Sequence, residues 1–323
     1  VSLDRKLVKV IELFAGGGGF RLGLPPDAEI VLAVEIDPEI ATVYARNFDP
    51  QNLRVDDITN IDFTPYKGVD LIVGGPPCQD YSVANNKGDR TSDRSQLGMQ
   101  MLRAIEEANP KTFILENVRN FGASQVWAKF QKRCLALGYK VACGVLKAAD
   151  YGVPQSRKRF IAVGTLDKKP PQLPFPTHDK EGGFLFKHWE GWWDAIADLK
   201  IPKQDLAPFQ QNAMSGNLRQ KILKGAIVLI PRVGFNPKDG LFHRDKWEPA
   251  FTVRAFGHKR GHWAKFNVVT SEASYLASPR CLARWQTFPD SYVLPDNSLL
   301  AGKAIGNAIP PLLAKAIFDA NFK

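Results

Sequence analysis

The 323-residue sequence predicts an α/β protein, with a Rossmann-like, mainly parallel sheet, helices on both faces, and a smaller, irregular second domain. Three observations carry that expectation. Apolar runs of strand length alternate with helix-patterned segments through the first half. A run of four glycines follows the first apolar run directly. After Gly164 the pattern becomes irregular, Gly/Pro-punctuated and basic.

Taken in order, Leu7–Phe14 is an apolar run ending in glycines, and Ile30–Ile36 is a second run followed by a helical pattern from Pro38 to Phe48. Val69–Val73 is a third strand. Arg94–Ala108 reads as a helix closed by Asn109-Pro110, because the residue before proline is pushed out of helical geometry. Lys111–Val118 is a fourth strand, Phe121–Leu137 a helix, and Tyr139–Lys147 and Arg159–Gly164 are two further strands. Lys168–Pro176 is rich in lysine and proline and reads as a linker. From there to about Lys265 only short apolar runs such as Ala226–Ile230 occur, and Pro279–Phe288 and Lys303–Phe318 are helical again. The expected division is residues 1–167, then a second domain over 168–270, then a return to the first domain over 271–323.

Hydrophobic residues make up 44% and charged residues 24%, a balance that supports an ordinary packed core. Cys78, Cys134, Cys143 and Cys281 show no metal-ligand spacing and are too few for a disulfide framework, so a reduced, cytoplasmic setting is expected, with no metal. Val1–Phe14 carries too many charges for a secretory signal, and no uncharged run is long enough to span a membrane. Net charge is +10, and from Lys200 to Lys265 thirteen Lys/Arg face four acids. An excess concentrated in one segment is what a polyanion-binding face requires.

Two segments carry chemistry. Glu12-Leu-Phe-Ala-Gly-Gly-Gly-Gly-Phe20 lets the backbone turn sharply and lets a ligand approach it closely. It lacks the third glycine of the dinucleotide fingerprint, which argues against a dehydrogenase. Glu35 ends the second strand, where an acid can hold ribose hydroxyls. A nucleoside cofactor without a pyrophosphate fits, and S-adenosylmethionine is the obvious one. Gly74-Gly-Pro-Pro-Cys-Gln-Asp-Tyr-Ser82 follows the strand Val69–Val73, so Cys78 is presented at a strand's carboxyl end, where open α/β sheets bind ligands.

The ordered set Phe14-Ala-Gly-Gly-Gly-Gly19, Glu35, Asp57, Gly75-Pro-Pro-Cys-Gln79, Glu116-Asn-Val118, Gln155-Ser-Arg-Lys-Arg159, Arg280…Arg284 with Gln286-Thr-Phe-Pro-Asp290, and Gly306-Asn307…Pro310 strongly resembles the cytosine-5 DNA methyltransferase family, from Val10 to near Ala316. Three positions depart from the family pattern. Cys281 stands where a glutamate is usual, Ala304 where a glutamine is common, and Ile36 where an aromatic residue often stacks on adenine. The resemblance implies that Phe14, Ala15, Gly16, Gly18, Gly19, Glu35, Ile36, Asp57, Ile58, Pro77, Leu97, Asn307 and Ala308 bind S-adenosylmethionine. It makes residues 168–270 the target-recognition region.

It also implies that Cys78 adds to cytosine C6, that Glu116 bonds to N3, and that Arg159 meets the carbonyl oxygen. Arg157, two residues earlier, is expected to help orient the thiolate, and a phosphate contact stays open as the alternative for either arginine. The base must be flipped out of the duplex, and the polar stretch Gln79–Ser95 is expected to close as a lid. Gln79, Ser82, Arg232, Arg244, Arg254, Lys259 and Arg260 are expected on the substrate, with Arg219 a further candidate; phosphate and guanine contacts are not separable here. Trp189, Trp192 and Trp193 read as core beside Ile196 and Leu199, and His258 and His262 as surface residues. The implied partner is double-stranded DNA, with a cognate restriction endonuclease in the same system, and a monomer in the nucleoid-associated cytoplasm is expected. A tRNA cytosine-5 methyltransferase is the nearest alternative, although its usual Cys-Phe-Thr signature is absent. A non-catalytic DNA-binding protein retaining the fold is the other.

Overall fold

The computed structural model describes residues 7–77, 97–206, 208–231, 243–255 and 266–322. The chain forms two compact units, one of residues 1–147, 158–175 and 308–323, the other of residues 148–157 and 176–307. The first unit opens with β1 (Val8–Leu13), α1 (Gly19–Gly23), β2 (Ala28–Glu35), α2 (Pro38–Asn47), β3 (Leu53–Val55) and β4 (Leu71–Gly74). It continues with α3 (Leu97–Ala108), β5 (Thr112–Val118), α4 (Gln125–Ala136), β6 (Lys140–Lys147) and β7 (Lys158–Thr165). Among the described residues these strands form one seven-stranded sheet, ordered β3-β2-β1-β4-β5-β7-β6. β1 to β5 pair in parallel, whereas β7 is antiparallel to both β5 and β6.

Local chemistry explains the layers. β4 is buried along its whole length and β5 nearly so, as strands covered on both faces must be. Ile11 and Leu13 join Met101, Ile105, Phe113 and Phe130 in the core beneath α3 and α4. Val10 and Glu12 alternate to the other face, where Glu12 meets Tyr44 of α2 and the backbone of α1. Asp37 caps α2 by accepting from the N–H groups of Glu39 (2.9 Å) and Ile40 (3.2 Å), with Pro38 in the first turn. The helix expected over 121–137 is broken. Ser124 accepts from Trp127 N at 3.1 Å and starts α4 at Gln125, leaving Arg119–Ala123 as a 3₁₀ turn.

The second unit holds β8 (His178–Asp179), β9 (Lys187–His188), α5 (Pro208–Ala213), α6 (Gly216–Leu223), β10 (Val228–Pro231), β11 (Arg244–Asp245), β12 (Phe266–Val269), β13 (Ser274–Leu276), α7 (Pro279–Trp285) and α8 (Ser298–Asn307). Its small sheet is antiparallel in the order β11-β10-β12-β13, packed on α6 through Leu218, Ile222, Val228, Ile230 and Val269. Trp192 is fully buried with Ile196 and meets Trp285 edge-on at 6.2 Å, the core role expected of it. The chain then returns to the first unit as α9 (Pro311–Asn321). The helix expected over 303–318 is two helices, because Pro310 and Pro311 lack the N–H groups a continuous helix needs.

Candidate active site

The strand order reverses between β1 and β4, since β2 and β3 lie to one side and β5 to the other. Leu13 pairs with Gly74, so the turns leaving the two central strands emerge side by side at a topological switch point. That crevice receives both motif-bearing segments.

The first segment is the glycine turn. Phe14 sits at φ 54°, a left-handed conformation that is rare for an aromatic residue and costs about 1–3 kcal/mol. Gly18 sits at φ 77°, and a Cβ there would run into the Phe48 ring. The turn is closed by Gly18 N donating to Ala15 O (2.9 Å) and tied to β2 by Ala15 N donating to Val34 O (2.9 Å). Glu35 Oε2 accepts from Gly16 N at 2.8 Å and Oε1 from Asp37 N at 2.9 Å. Burial raises the Glu35 carboxyl above its usual range, against those two N–H groups. Beside it Ile36 is 63% exposed, an apolar surface left open at the strand end.

Asp57 caps a short 3₁₀ turn through Oδ1, which accepts from Thr59 N and Oγ1, both at 2.9 Å, and these bonds hold its carboxyl below the usual value. Ile58 behind it is buried. Ala308, from the returning chain, abuts the turn, its Cβ 3.0 Å from where a Gly19 Cβ would stand. Leu97 opens α3 and packs on the central core.

The second segment follows β4. Pro76 is buried and Pro77 exposed. Cys78, Gln79, Ser82 and the expected lid lie outside the described residues. What holds the approach to Cys78 is Asn117, whose Nδ2 donates to Pro76 O at 3.1 Å while Oδ1 accepts from Val118 N at 2.8 Å. Its neighbour Glu116 pairs with Arg159, Oε1 to Nε 2.7 Å, with side-chain exposures of only 10% and 14%. The register explains the meeting. Glu116 lies opposite Ile161 and Val118 opposite Arg159, so the pair sit diagonally on one face of β5 and β7. A Cβ at Gly75 would stand 3.0 Å from Glu116 Oε2, so the glycine keeps the carboxylate close to the turn.

The described cysteines make poor nucleophiles. Burial pushes Cys134 up to about 12 and also raises Cys143 and Cys281, which disfavours the reactive thiolate. Among the described residues no group of three or more His, Cys, Asp or Glu is placed to hold a metal ion.

Arg157 and Asn307 belong to the second unit. Arg157 precedes β7 and is only 1% exposed; its Nη1 donates to Val253 O (2.8 Å) and Gly306 O (3.2 Å), so the guanidinium binds backbone inside that unit. Gln155 continues the lattice, donating to Gln286 Oε1 at 2.7 Å and accepting from Val253 N at 2.8 Å, while Gln286 donates to Ile305 O at 2.7 Å. Arg244 is engaged with Glu248 at 3.0 Å and lies over the Phe251 ring, Arg219 donates to Gln211 O at 2.6 Å, and Arg254 is exposed. Arg232, Lys259, Arg260, His258 and His262 lie outside the described residues.

The departure at Cys281 has a local explanation. Ser278 caps α7 by accepting from Cys281 N at 3.3 Å, so Cys281 occupies the third helical position, where a glutamate completes a capping box. The replacement touches a helix end. Asn117 stands inside the Glu116-Asn-Val118 motif, but its bond to Pro76 O, 41 residues away, has no local signal in the sequence. Glu12 did leave a signal, an acid among the apolar residues Val10, Ile11, Leu13 and Phe14.

A mainly parallel, doubly wound sheet with an acid-held glycine turn at its switch point defines an α/β protein of the class whose ligands sit beyond the strand ends. The profile of the C-5 cytosine-specific DNA methylase family matches residues 8–323, so the chain belongs to that family and is a DNA cytosine-5 methyltransferase. Its relatives include the type II methyltransferase M1.HphI of Haemophilus parahaemolyticus, 30% identical across 97% of this chain and 86% of the relative. The type II methyltransferase M.Eco47II of Escherichia coli is 29% identical, covering 98% and 79%. The fold is shared with the S. pombe Dnmt2 methyltransferase (TM-score 0.66, 18% identity, 96% and 97% covered) and with the Entamoeba histolytica methyltransferase EhMeth (0.68, 18%, 98% and 99%).

Proposed function

We propose that the protein moves a methyl group from S-adenosylmethionine to C5 of one cytosine within a specific duplex sequence, as the modification enzyme of a type II restriction–modification system. The observation that carries this is the Glu116–Arg159 pair, 2.7 Å apart, beside the Pro76–Pro77 turn that Asn117 anchors just before Cys78. The residues present fit the cofactor. The glycine turn leaves open space beside Gly16, where a Cβ would meet only Phe14 O at 3.7 Å, Glu35 offers acceptors for ribose hydroxyls, Asp57 offers a carboxylate, and Ile36 supplies an open apolar surface for the base. When bound, S-adenosylmethionine supplies an electrophilic methyl group.

Cytosine C5 is a weak nucleophile, and the protein must make it stronger. In this reading the Cys78 thiolate adds to C6, forming a C–S bond and pushing the electron pair toward C5. Glu116 shares a proton with N3 so that the ring accepts the pair, and Arg159 steadies charge on the carbonyl oxygen. Asn117 acts one step back as a positioning residue, fixing the strand end from which the thiol approaches. Once C5 carries the methyl group, the C5 proton passes to water, its bonding pair forms the C5–C6 double bond, and Cys78 departs as thiolate with the C–S pair. The target base reaches this crevice only when flipped from the stack, at a cost of a few kcal/mol.

The second unit supplies the target-recognition region in this account. Its Arg157–Gln155–Gln286 lattice holds the segment that carries exposed Arg254, a side chain suited to phosphate or guanine. The unit is the expected partner surface for double-stranded DNA, and a cognate endonuclease would read the same sequence. No helix among the described residues is long and apolar enough to cross a membrane. Labelled methyl transfer to duplex DNA and, in parallel, to total tRNA tests the reading. Label at cytosine C5 in DNA, lost in Cys78→Ala, supports it; label in tRNA alone transfers the protein to an RNA substrate, and label in neither refutes the reaction.

A further inference from the structure

Glu12 has no part in the chemistry above, yet it is a carboxyl group buried to 1% exposure directly behind the glycine turn. Its strand partners are Ala33 and Val73, which offer no solvation. From α2, the Tyr44 hydroxyl donates to Oε2 at 2.8 Å; from α1, Arg21 N donates to Oε1 at 3.3 Å. The charged groups that face it are the Arg21 guanidinium from α1 and the Glu35 carboxylate from β2. Glu35 holds Gly16 N while Glu12 holds Arg21 N, so two carboxylates brace the two ends of one ligand-facing stretch.

We propose that Glu12 is a positioning residue of the cofactor turn, and that its ionised form favours a cationic sulfonium ligand over the neutral thioether left after methyl transfer. The inference rests on the cofactor reading given above. A buried carboxylate acts through a medium of low dielectric, so its charge is felt across the turn without direct contact. The ionised form accepts from Tyr44 and Arg21 N together, whereas the protonated form weakens one of these acceptors and removes the charge. Burial pushes this carboxyl up to about 7, so both forms are populated near neutral pH.

The test is calorimetric binding of S-adenosylmethionine and S-adenosylhomocysteine to the full chain, from about pH 6 to about pH 8.5. The ligands share their amino and carboxyl groups, which cancel in the comparison, and differ in the sulfonium charge. Wild-type affinity for S-adenosylmethionine is expected to rise about tenfold through neutral pH, the equivalent of about one unit of proton linkage, while the thioether changes less than about twofold. Glu12→Gln should flatten the sulfonium profile. Tyr44→Phe, which keeps the carboxyl and loses a bond favouring its ionised form, should move the midpoint upward; it also carries the test if Glu12→Gln does not fold. Identical pH profiles for the two ligands, or a rise retained in Glu12→Gln, overturns the inference while leaving the cofactor reading intact. No binding of either ligand at any pH overturns both.

Discussion

Replacing Glu12 with glutamine should make this protein more stable in mild base and leave it nearly unchanged in mild acid. Burial raises the Glu12 carboxyl from 4.5 to about 7, with the Tyr44 hydroxyl and Arg21 only partly offsetting that penalty. The native state therefore holds a proton that the unfolded chain has already released. Because the unfolded state binds fewer protons between the two values, stability falls as pH rises through that window and levels off above about 7. A shift from 4.5 to about 7 amounts to roughly 3 kcal/mol at full ionisation, of which about 2.5 kcal/mol develops between about pH 5 and about pH 8. Glutamine resembles the protonated acid: its one oxygen can accept from Arg21 N, its amide N–H can donate to the Tyr44 oxygen, and it never ionises. Urea unfolding of wild type and Glu12→Gln at several pH values isolates the term, since titrating groups remote from Glu12 appear in both proteins and cancel. A difference that grows toward alkaline pH is expected. A pH-independent difference would refute the reasoning, and one that grows toward acid would invert it. Retaining a destabilising acid beneath a ligand turn is the kind of cost that function imposes.

Further outcomes follow from other contacts. Asn117→Ala removes the donor to Pro76 O and should lower kcat about ten- to hundredfold with a smaller change in KM, because the chain leading to Cys78 loses its anchor; equal loss in both constants would contradict a positioning role. Gly18→Ala places a Cβ against Phe48 at φ 77° and should weaken S-adenosylmethionine binding by at least about tenfold in titration calorimetry. Gln286→Ala removes one acceptor from the Gln155 amide, which keeps Trp285 O, and the side-chain donor to Ile305 O, and should cost about 2–4 kcal/mol in denaturant unfolding. Ser278→Ala, removing the α7 cap, should cost only about 1 kcal/mol in the same assay.

What could be read from sequence was whatever local chemistry dictates. The buried runs of β4 and β5 announce a covered sheet, and four glycines after β1 announce a ligand turn, so the crevice at the switch point was legible before any coordinate. Strand direction was not, because a pattern of apolar residues has no polarity; the antiparallel entry of β7 emerged only from its pairing with β5. That direction is what sets Arg159 diagonally opposite Glu116. The left-handed Phe14 was likewise invisible, since the strain is imposed by the tertiary ties at Ala15 and Gly16. Capping signals in the sequence do override periodicity. Ser124 and the Pro310-Pro311 pair each interrupt a helix that periodicity alone would continue. The bonds from Arg157 to Val253 O and Gly306 O are long-range contacts that no local pattern encodes.

The account turns on a covalent bond between Cys78 and the target base, and a duplex in which cytosines are replaced by 5-fluorocytosine tests it most directly. Fluorine at C5 cannot leave as the proton does, so the elimination that frees the thiolate is blocked after addition and methyl transfer. With S-adenosylmethionine present, wild-type protein is expected to form a denaturant-stable complex whose crosslinked peptide contains Cys78, and Cys78→Ala is expected to form none. Methylation of ordinary cytosine without any trapped complex, or a crosslink that maps to another residue, would contradict the mechanism.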